Sequence, residues 1–435
     1  MNASVKSQHL RLCLMAITLS VGLLHCTGRA IAQYPASVTA PSGFQPCADS
    51  ASSTPPAADS SPYTVDDTLT AMHTPSTSVG AVTFSAHRGF WQNAPENSMT
   101  AIYEGIRNHI RVNEVDVFET SDDLPVLSHD NDIARTTTGT GLISSLSHNQ
   151  YLSYYLRDRH GCPTNEDPVT LAKAISNLIG TGQIYVDDDQ ELAGSVLVVD
   201  VKGTTASAVY ENLLDSIAVW ENNGVLINYG VAEAVVFKVP LNLGLAQVMP
   251  NRDTCDKSGK CGYYKFLDDI GAKLGTQNFA RPNMVYVLYA PANTDPNDTY
   301  VEEYEVAWKP RQGGTMAFET HERYLNDQMT EMRQYLASIG LGINSFSPDN
   351  FFPEGDPSGN VCCKLFNMSL SAATQPDCLN GGVGSCLDER VRWDFQLLTN
   401  NVNADFLTLE RPLDAQNYVR AITNPTTPLS VPPPE

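Results

Sequence analysis

The sequence predicts an α/β fold, a single (β/α)₈ TIM barrel, from three observations. The chain has 435 residues and is 42% hydrophobic, which is enough to bury one large core. Short apolar runs alternate with helical patterns, as they do where helices connect the strands of a parallel sheet. Eight such runs are present. Eight parallel strands with crossover helices close into a barrel whose chemistry lies at the carboxyl ends of the strands.

The candidate strands are short and rich in Val and aromatic residues, which favour strands. They cover residues 81–87, 112–118, 195–201, 233–239, 283–290, 315–320, 341–346 and 404–409. Amphipathic patterns such as SMTAIYEGIRN, which follows the first run, predict the connecting helices. We also expect a small β-hairpin or loop insertion after the second strand, and disulfide-bearing loop insertions after the fourth and seventh strands.

The first residues have the features of a secretory signal peptide, which we assign to residues 1–32. Lys6 and Arg11 give a basic start, an apolar run covers residues 12–24, and small residues lead to Ala32. Because this apolar run is too short to span a bilayer, we expect cleavage near Ala32 and a secreted protein, or a periplasmic one in a bacterial source. A single-pass anchor and a lipoprotein are the alternatives.

Low-complexity segments flank the predicted barrel, which we expect over residues 81–422. Residues 33–80 form a Ser/Thr/Pro-rich N-terminal arm, and residues 423–435 form a Pro-rich tail. The formal net charge of −22 disfavours a nucleic-acid partner, because an acidic surface repels polyanions. An anionic substrate therefore needs local positive charge. We expect no stable protein partner.

Cysteine usage agrees with export. Eight cysteines follow the signal peptide, namely Cys47, Cys162, Cys255, Cys261, Cys362, Cys363, Cys378 and Cys386. An even number in an exported chain favours disulfides, although the spacing alone does not fix their pairing. A thiolate metal site is the alternative.

Three acidic residues interrupt apolar strands and predict a metal site. Glu114 and Asp116 lie two residues apart on the second strand, so their side chains point to the same face. Their mutual repulsion calls for a cation, and carboxylate oxygens suit a hard ion such as Mg²⁺ or Ca²⁺. Asp200 shares a face of the third strand with Lys202. It is either a third ligand or half of a buried salt bridge.

Two histidines are expected near these acids. His87 and Arg88 end the first strand, so both should reach the barrel mouth. After the second strand the chain turns near residues 122–123, and a two-residue hairpin loop there would place His129 opposite Asp116. A slip of one residue would move His129 to the other face.

Taken together, these motifs resemble the glycerophosphodiester phosphodiesterase family, a member of the PLC-like phosphodiesterase TIM-barrel superfamily. The matching pieces, in family order, are His87-Arg88-Gly89, Pro95-Glu96-Asn97, Glu114-x-Asp116, LPVLSHD with His129, RTTTGTG at 135–141, VDVK with Asp200 and Lys202, and DFLTLERP at 405–412. The resemblance implies hydrolysis of a small phosphodiester with one divalent metal ion, Mg²⁺ or Ca²⁺. In the family, a neighbouring hydroxyl can attack phosphorus first, and water then opens the cyclic phosphate.

The resemblance also implies a role for each matched residue. It assigns general acid and base to His87 and His129, metal binding to Glu114, Asp116 and Asp200, and phosphate binding to Arg88 and Lys202. The third carboxylate is more often Glu in this family, and Asp200 is shorter by one methylene. From their positions in the sequence, we also expect that residues around the metal ligands or in the pocket include Glu96, Asn97, Lys238, Glu319 and Trp393. Of these, we expect Glu96 and Asn97 to act mainly at the start of a helix.

The expected activity is that of a secreted glycerophosphodiesterase acting on deacylated phospholipid headgroups. The nearest alternative is a phospholipase D-like or sphingomyelinase D-like activity on intact lipids, with contact to a lipid headgroup or micelle. A barrel glycosidase also uses paired carboxylates, although it has no need of a phosphate-binding arginine and lysine. A catalytically silent secreted interaction protein is the remaining class.

Overall fold

The computed structural model describes the barrel and the segment that precedes it. The described residues are 53–58, 61–73, 82–91, 94–158, 161–187, 191–222, 231–240, 263–275, 283–288, 315–321, 342–347, 406–409, 412–413 and 416. They belong to one compact unit, Gly43–Glu435. Within these ranges, no helix has the length and apolar character needed to cross a membrane.

Eight parallel strands close into a barrel. They are β1 (Thr83–Ala86), β2 (Val112–Glu119), β6 (Val196–Val201), β7 (Val235–Pro240), β8 (Asn283–Leu288), β9 (Thr315–His321), β10 (Gly342–Ser347) and β11 (Phe406–Leu409). Each pairs with the next, and β1 pairs with both β2 and β11, which closes the sheet. The predicted fold class is therefore confirmed. All eight predicted strands are present, with ends that differ by at most two residues from the predicted ones, as strand boundaries commonly do.

Helices and short strands fill the connections between the barrel strands. The helices are α2 (Met99–Arg107), α3 (His148–Tyr151), α4 (Leu171–Gly180), α5 (Ala206–Asn222) and α6 (Tyr263–Leu274). The short strands are β3 (Pro125–Leu127), β4 (Ile184–Val186) and β5 (Leu192–Gly194). The hydroxyl of Ser98 accepts a hydrogen bond from Ala101 N and caps α2, whose apolar side packs in the core. Val112, Val115 and Val117 of β2 belong to the same core.

The predicted hairpin after the second strand is present, but its predicted register is wrong by one residue. β3 runs antiparallel to β2, with Val117 opposite Leu127. The hairpin loop holds three residues, 121–123. On either side of it, Thr120 N donates a 3.1 Å hydrogen bond to Leu124 O. Asp123 adopts a left-handed conformation (φ 59°) in this loop, as three-residue hairpin loops require.

The register error changes which residue faces Asp116. Ser128 N donates to Asp116 O at 3.0 Å, so Ser128 takes the position that had been predicted for His129. Because β3 ends at Leu127, His129 lies in the loop beyond the strand. The side of the barrel on which His129 lies is therefore set by loop contacts and not by strand alternation.

A helix that sequence analysis did not predict forms inside the Ser/Thr/Pro-rich arm. α1 (Val65–His73) buries Val65, Thr68 and Met72 completely. The Tyr63 ring, just before it, lies 3.8 Å from the guanidinium of Arg111, which precedes β2. α1 therefore packs at the amino-terminal end of the barrel strands, and part of the predicted arm is helical.

Several predictions concern residues outside the described ranges. They are the signal peptide at 1–32, the insertions after the fourth and seventh strands, Trp393, the tail at 423–435 and every predicted disulfide cysteine other than Cys162. Cys162 is disulfide-bonded. The pairing of the remaining cysteines stays a prediction.

The packing of α1 can be tested through its fully buried methionine. We expect Met72→Ala to lower the free energy of unfolding by about 2–4 kcal/mol, because the truncation leaves a cavity at the end of the barrel. Thr70→Ala, at an exposed position on the same helix, should change it by less than about 0.5 kcal/mol. Urea unfolding followed by circular dichroism measures both, and equal effects would contradict the packing role of α1.

Candidate active site

Carboxylates from three barrel strands meet lysines inside the barrel. The strand registers align Asp116 of β2 with Asp200 of β6, and Asp200 with Lys238 of β7. Glu114, Asp116 and Glu319 are fully buried, and Asp200 is 6% exposed. The predicted neighbours of the acidic pair, Asp200, Lys238 and Glu319, are therefore brought together with it.

Two lysines contact these acids in different ways. Lys238 Nζ lies 3.4 Å from Glu114 Oε1, 3.1 Å from Asp200 Oδ2 and 2.9 Å from Glu319 Oε1. Lys202 Nζ lies 2.9 Å from Asp200 Oδ2 and 3.1 Å from Asp116 Oδ1. The side chain of Lys238 is only 3% exposed, whereas that of Lys202 is 22% exposed. Lys238 is thus an internal counter-charge, and Lys202 lies at the solvent side of the cluster.

The pKa values of the two acids of β2 shift in opposite directions. Burial raises the pKa of Glu114, and Lys238 opposes this only in part. Burial also acts to raise the pKa of Asp116, but Lys202, His129 and Arg88 together hold this pKa well below its usual range. Burial acts to lower the pKa of Lys238, yet Asp200, Glu319 and Glu114 raise it well above normal. Asp116 and Lys238 are therefore charged at neutral pH.

The acidic residues fit a divalent cation. Glu114, Asp116 and Asp200 each offer one carboxylate oxygen, and these oxygens lie within 4.8 Å of one another. Oxygens on opposite sides of a bound Mg²⁺ or Ca²⁺ are about 4–5 Å apart, given metal–oxygen distances of about 2.0–2.6 Å. Within the described part of the chain, Asp116 Oδ1 accepts no hydrogen bond, although Lys202 Nζ is close. The donor set is hard and anionic, as such ions require.

The turn after β1 is built around Glu114. Arg88 and Gly89 both have left-handed backbone conformations, with φ of 56° and 74°. Arg88 N donates to Glu114 Oε2 at 2.9 Å, and Gly89 N donates to Glu114 O at 2.8 Å. A Cβ at Gly89 would lie 2.8 Å from Ala101 Cβ, so only glycine fits between the turn and α2.

Asn97 holds Asp116 by two hydrogen bonds. Its Nδ2 donates to Asp116 Oδ2 at 2.9 Å, and its Oδ1 accepts from Asp116 N at 2.8 Å. Asn97 has a left-handed backbone (φ 55°), which asparagine tolerates better than most residues. The expected role at the start of α2 falls instead to Ser98, and Asn97 orients a metal-binding acid.

Glu96 lies between two arginines, one of which was not predicted. Arg88 Nη1 donates to Glu96 Oε1 at 3.1 Å, and Arg135 donates to both Glu96 oxygens at 2.7 Å. Burial acts to raise the pKa of Glu96, but the two guanidiniums outweigh this effect and lower the pKa to about 2. Arg135 also donates through Nε to Asp130 Oδ2 at 2.6 Å. Arg135 and Asp130 both lie in matched motifs, but sequence reasoning gave neither a role.

The two histidines are held differently. His87 N donates to Leu409 O at 3.0 Å, so the backbone pairing of β1 with β11 fixes the position of His87. His87 is 5% exposed. The His129 side chain is 25% exposed, and its Nδ1 lies 2.6 Å from Asp130 Oδ1. Burial, followed by the charge of Arg88, lowers the pKa of His129, against the opposing effects of Asp116 and Asp130.

The predicted site residues in the described ranges thus converge at one end of the barrel. Both histidines act electrostatically on Asp116, and His87 also acts on Glu114. Trp393 lies outside the described ranges. The roles assigned to these residues stay predictions.

A comparison with protein families matches part of the barrel. The model of the glycerophosphoryl diester phosphodiesterase family matches residues 87–192. Residues 87–192 are therefore similar to the glycerophosphoryl diester phosphodiesterase family. The comparisons support an enzyme of the phosphodiesterase class. The matched segment contains both histidines, Glu114 and Asp116, whereas Asp200 and Lys202 follow it.

The individual proteins to which this chain is similar match different lengths of it. The uncharacterized protein y4eD of Sinorhizobium fredii is 29% identical over 319 residues, which is 70% of this chain and 76% of the relative. Glycerophosphodiester phosphodiesterase 1 of Homo sapiens is 46% identical over 65 residues, which is 15% of this chain and 20% of that enzyme. A glycerophosphoryl diester phosphodiesterase structure from Parabacteroides distasonis is 14% identical with a TM-score of 0.49, covering 85% of this chain and 95% of that one.

The role of Asn97 in orienting Asp116 can be tested by metal binding. We expect Asn97→Ala to weaken Mg²⁺ or Ca²⁺ binding by about 10- to 100-fold, as loss of an outer-shell partner commonly does. Isothermal titration calorimetry measures this directly, without reference to turnover.

His109→Ala is the matched control, because His109 is exposed and also has a left-handed backbone (φ 57°). It introduces similar backbone strain far from the acids and should bind metal as the wild type does. Equal affinities for the wild type and Asn97→Ala would contradict the role of Asn97.

Proposed function

We propose that this phosphodiesterase hydrolyses glycerophosphodiesters, the deacylated headgroups of phospholipids, to an alcohol and glycerol phosphate. The observation that carries the proposal is the meeting of a buried carboxylate triad with two histidines and cationic side chains at one barrel end. A phosphodiester is an anion, so it needs such positive charge in a chain with net charge −22. The family match supports the reaction class.

The chemistry divides between the histidines and the cations. One imidazole takes the proton of the neighbouring substrate hydroxyl as its oxygen bonds to phosphorus, and the other gives a proton to the departing alcohol oxygen as that oxygen's bond to phosphorus breaks. Water then opens the cyclic phosphate to glycerol phosphate, with the two imidazoles exchanging the roles of acid and base. Arg88 and Lys202 bind the phosphate oxygens and stabilise the charge that builds there. The solvent-side position of Lys202 and its 22% exposure support this role. Histidine suits both proton transfers because it titrates near neutral pH.

The acids of β2 and β6 are proposed to hold one divalent cation, Mg²⁺ or Ca²⁺. Glu114, Asp116 and Asp200 would bind it, and Asn97 would keep Asp116 in orientation. When bound, such an ion supplies positive charge beside the phosphate oxygens. Lys238 and Glu319 would maintain the charge balance beside it, because Lys238 contacts Glu114 and Asp200 and is itself paired with Glu319.

We further propose that the enzyme is secreted. The basic start, the apolar run and the small residues before residue 33 support this, as does an even number of cysteines in the remaining chain. A secreted enzyme would meet glycerophosphodiesters that are released when phospholipids lose their acyl chains. Mass determination of the amino terminus of the exported protein tests the cleavage near Ala32.

The central prediction concerns the two histidines and the metal. We expect His87→Ala and His129→Ala each to lower kcat by about 10²–10⁴-fold, which is the usual contribution of a general acid or base. EDTA should abolish activity, and added Mg²⁺ or Ca²⁺ should restore it. An assay of glycerol phosphate release from glycerophosphocholine measures all of these effects.

Unchanged rates in both histidine variants would revive the catalytically silent class, with any measured activity coming from a contaminant. Activity that is indifferent to EDTA would favour a metal-free barrel hydrolase. A marked preference for micellar lysolipid over glycerophosphocholine would instead support the phospholipase D-like alternative.

A further inference from the structure

His129 is the one proposed catalytic group that no strand holds in place. The ladder between β2 and β3 ends with the hydrogen bond from Ser128 N to Asp116 O, at 3.0 Å. Beyond it, Ser128 Oγ donates to Asp130 O at 3.1 Å and forms a local turn. A backbone turn of this kind does not fix the rotation of an imidazole, so side-chain contacts must do so.

A chain of charged side chains provides those contacts. His129 Nδ1 lies 2.6 Å from Asp130 Oδ1, and Asp130 Oδ2 accepts from Arg135 Nε at 2.6 Å. Arg135 then donates through both terminal nitrogens to Glu96, at 2.7 Å each. This bidentate geometry fixes the guanidinium plane and, through it, the Asp130 carboxylate.

The same chain reaches the phosphate-binding side of the site. Glu96 also accepts from Arg88 Nη1, at 3.1 and 3.3 Å. Arg88 is in turn tied to Glu114 by its backbone N–H. The buried carboxylate of Glu96 therefore links Arg88 to Arg135, and through Arg135 to the Asp130 carboxylate that contacts His129.

We propose that Asp130 and Arg135 are positioning residues for His129. An ionised carboxylate can only accept a hydrogen bond, so the imidazole nitrogen that faces Asp130 must carry the proton. Asp130 thus selects the tautomer with the proton on Nδ1 and the lone pair on Nε2, and Arg135 fixes the direction of that carboxylate. The kinetic part of this inference rests on the proposed phosphodiesterase activity, whereas the tautomer does not.

The main variant is Asp130→Asn, which keeps the size of the side chain and removes its charge. We expect kcat on glycerophosphocholine to fall by about 10- to 100-fold with KM changed less than about twofold, because only the share of general acid–base catalysis that depends on orientation is lost. Arg135→Lys should lower kcat by about three- to tenfold, since lysine cannot reproduce the bidentate contact.

Combining variants separates positioning from structural support. In a His129→Ala background, Asp130→Asn should cause no further loss of activity beyond about twofold, because the residue on which Asp130 acts is gone. A full additional loss in that background would overturn the proposal. An unchanged kcat in Asp130→Asn alone would overturn it as well.

Asp122 offers a matched control. Its Oδ2 lies 2.6 Å from His148 Nδ1, which is the same kind of pair on the outer side of the hairpin loop. Asp122→Asn should leave kcat and KM unchanged. A loss equal to that of Asp130→Asn would mean that either change simply disturbs the hairpin.

Proton NMR tests the tautomer without any substrate. We expect a downfield Nδ1–H resonance that His129→Ala removes, that Asp130→Asn shifts upfield or removes, and that Asp122→Asn leaves in place. Retention of the resonance at its position in Asp130→Asn would overturn the proposal. If the wild type cleaves no glycerophosphodiester, the proposed function fails, while this measurement still decides the role of Asp130.

Discussion

The burial of carboxylates inside the barrel is the constraint on which the rest of the site depends. Glu114, Asp116 and Glu319 are inaccessible to solvent, in a place that a barrel ordinarily fills with branched apolar side chains. Ionised groups cannot remain there without partners, because desolvation of a single ion costs several kcal/mol. The lysines of β7 and of the segment after β6 provide part of the compensation. The four carboxylates outnumber the two lysines that contact them, so a divalent cation would complete the compensation.

The same constraint explains the unusual backbone of the turn after β1. The backbone N–H groups of Arg88 and Gly89 both point at Glu114, which requires two successive left-handed residues. Such conformations are costly for a residue with a side chain, and they persist where surrounding contacts determine them. Here the close approach of Ala101 excludes a Cβ at Gly89, so the first turn of α2 and the carboxylate of β2 jointly fix the loop. Because the backbone of Arg88 is fixed in this way, the direction in which its side chain leaves the turn is fixed as well.

Most of the barrel could be predicted from sequence because buried parallel strands are short apolar runs, and acids that interrupt such runs are conspicuous. The hairpin register could not, because it depends on Asp123 adopting a left-handed conformation and so lengthening the loop from two residues to three. α1 was missed because its segment is rich in Thr and Asp, and its buried residues are too few to reveal a helical period. Arg135 was missed for another reason. Its partner Glu96 lies 39 residues away along the chain, and only the fold brings them together.

The two lysines show how position within one barrel separates chemical roles that sequence cannot distinguish. Both contact Asp200, but Lys238 touches three carboxylates and is almost completely buried, whereas Lys202 retains an exposed fraction. A lysine surrounded by three acids has little positive charge left to offer a ligand, so Lys238 serves the stability of the acid cluster. Lys202 contacts two acids from the solvent side, and its flexible four-carbon stem would let the amine exchange one of them for a phosphate oxygen in the proposed reaction. The two lysines are the same residue type, so their depth in the barrel is what separates the roles that we propose for them.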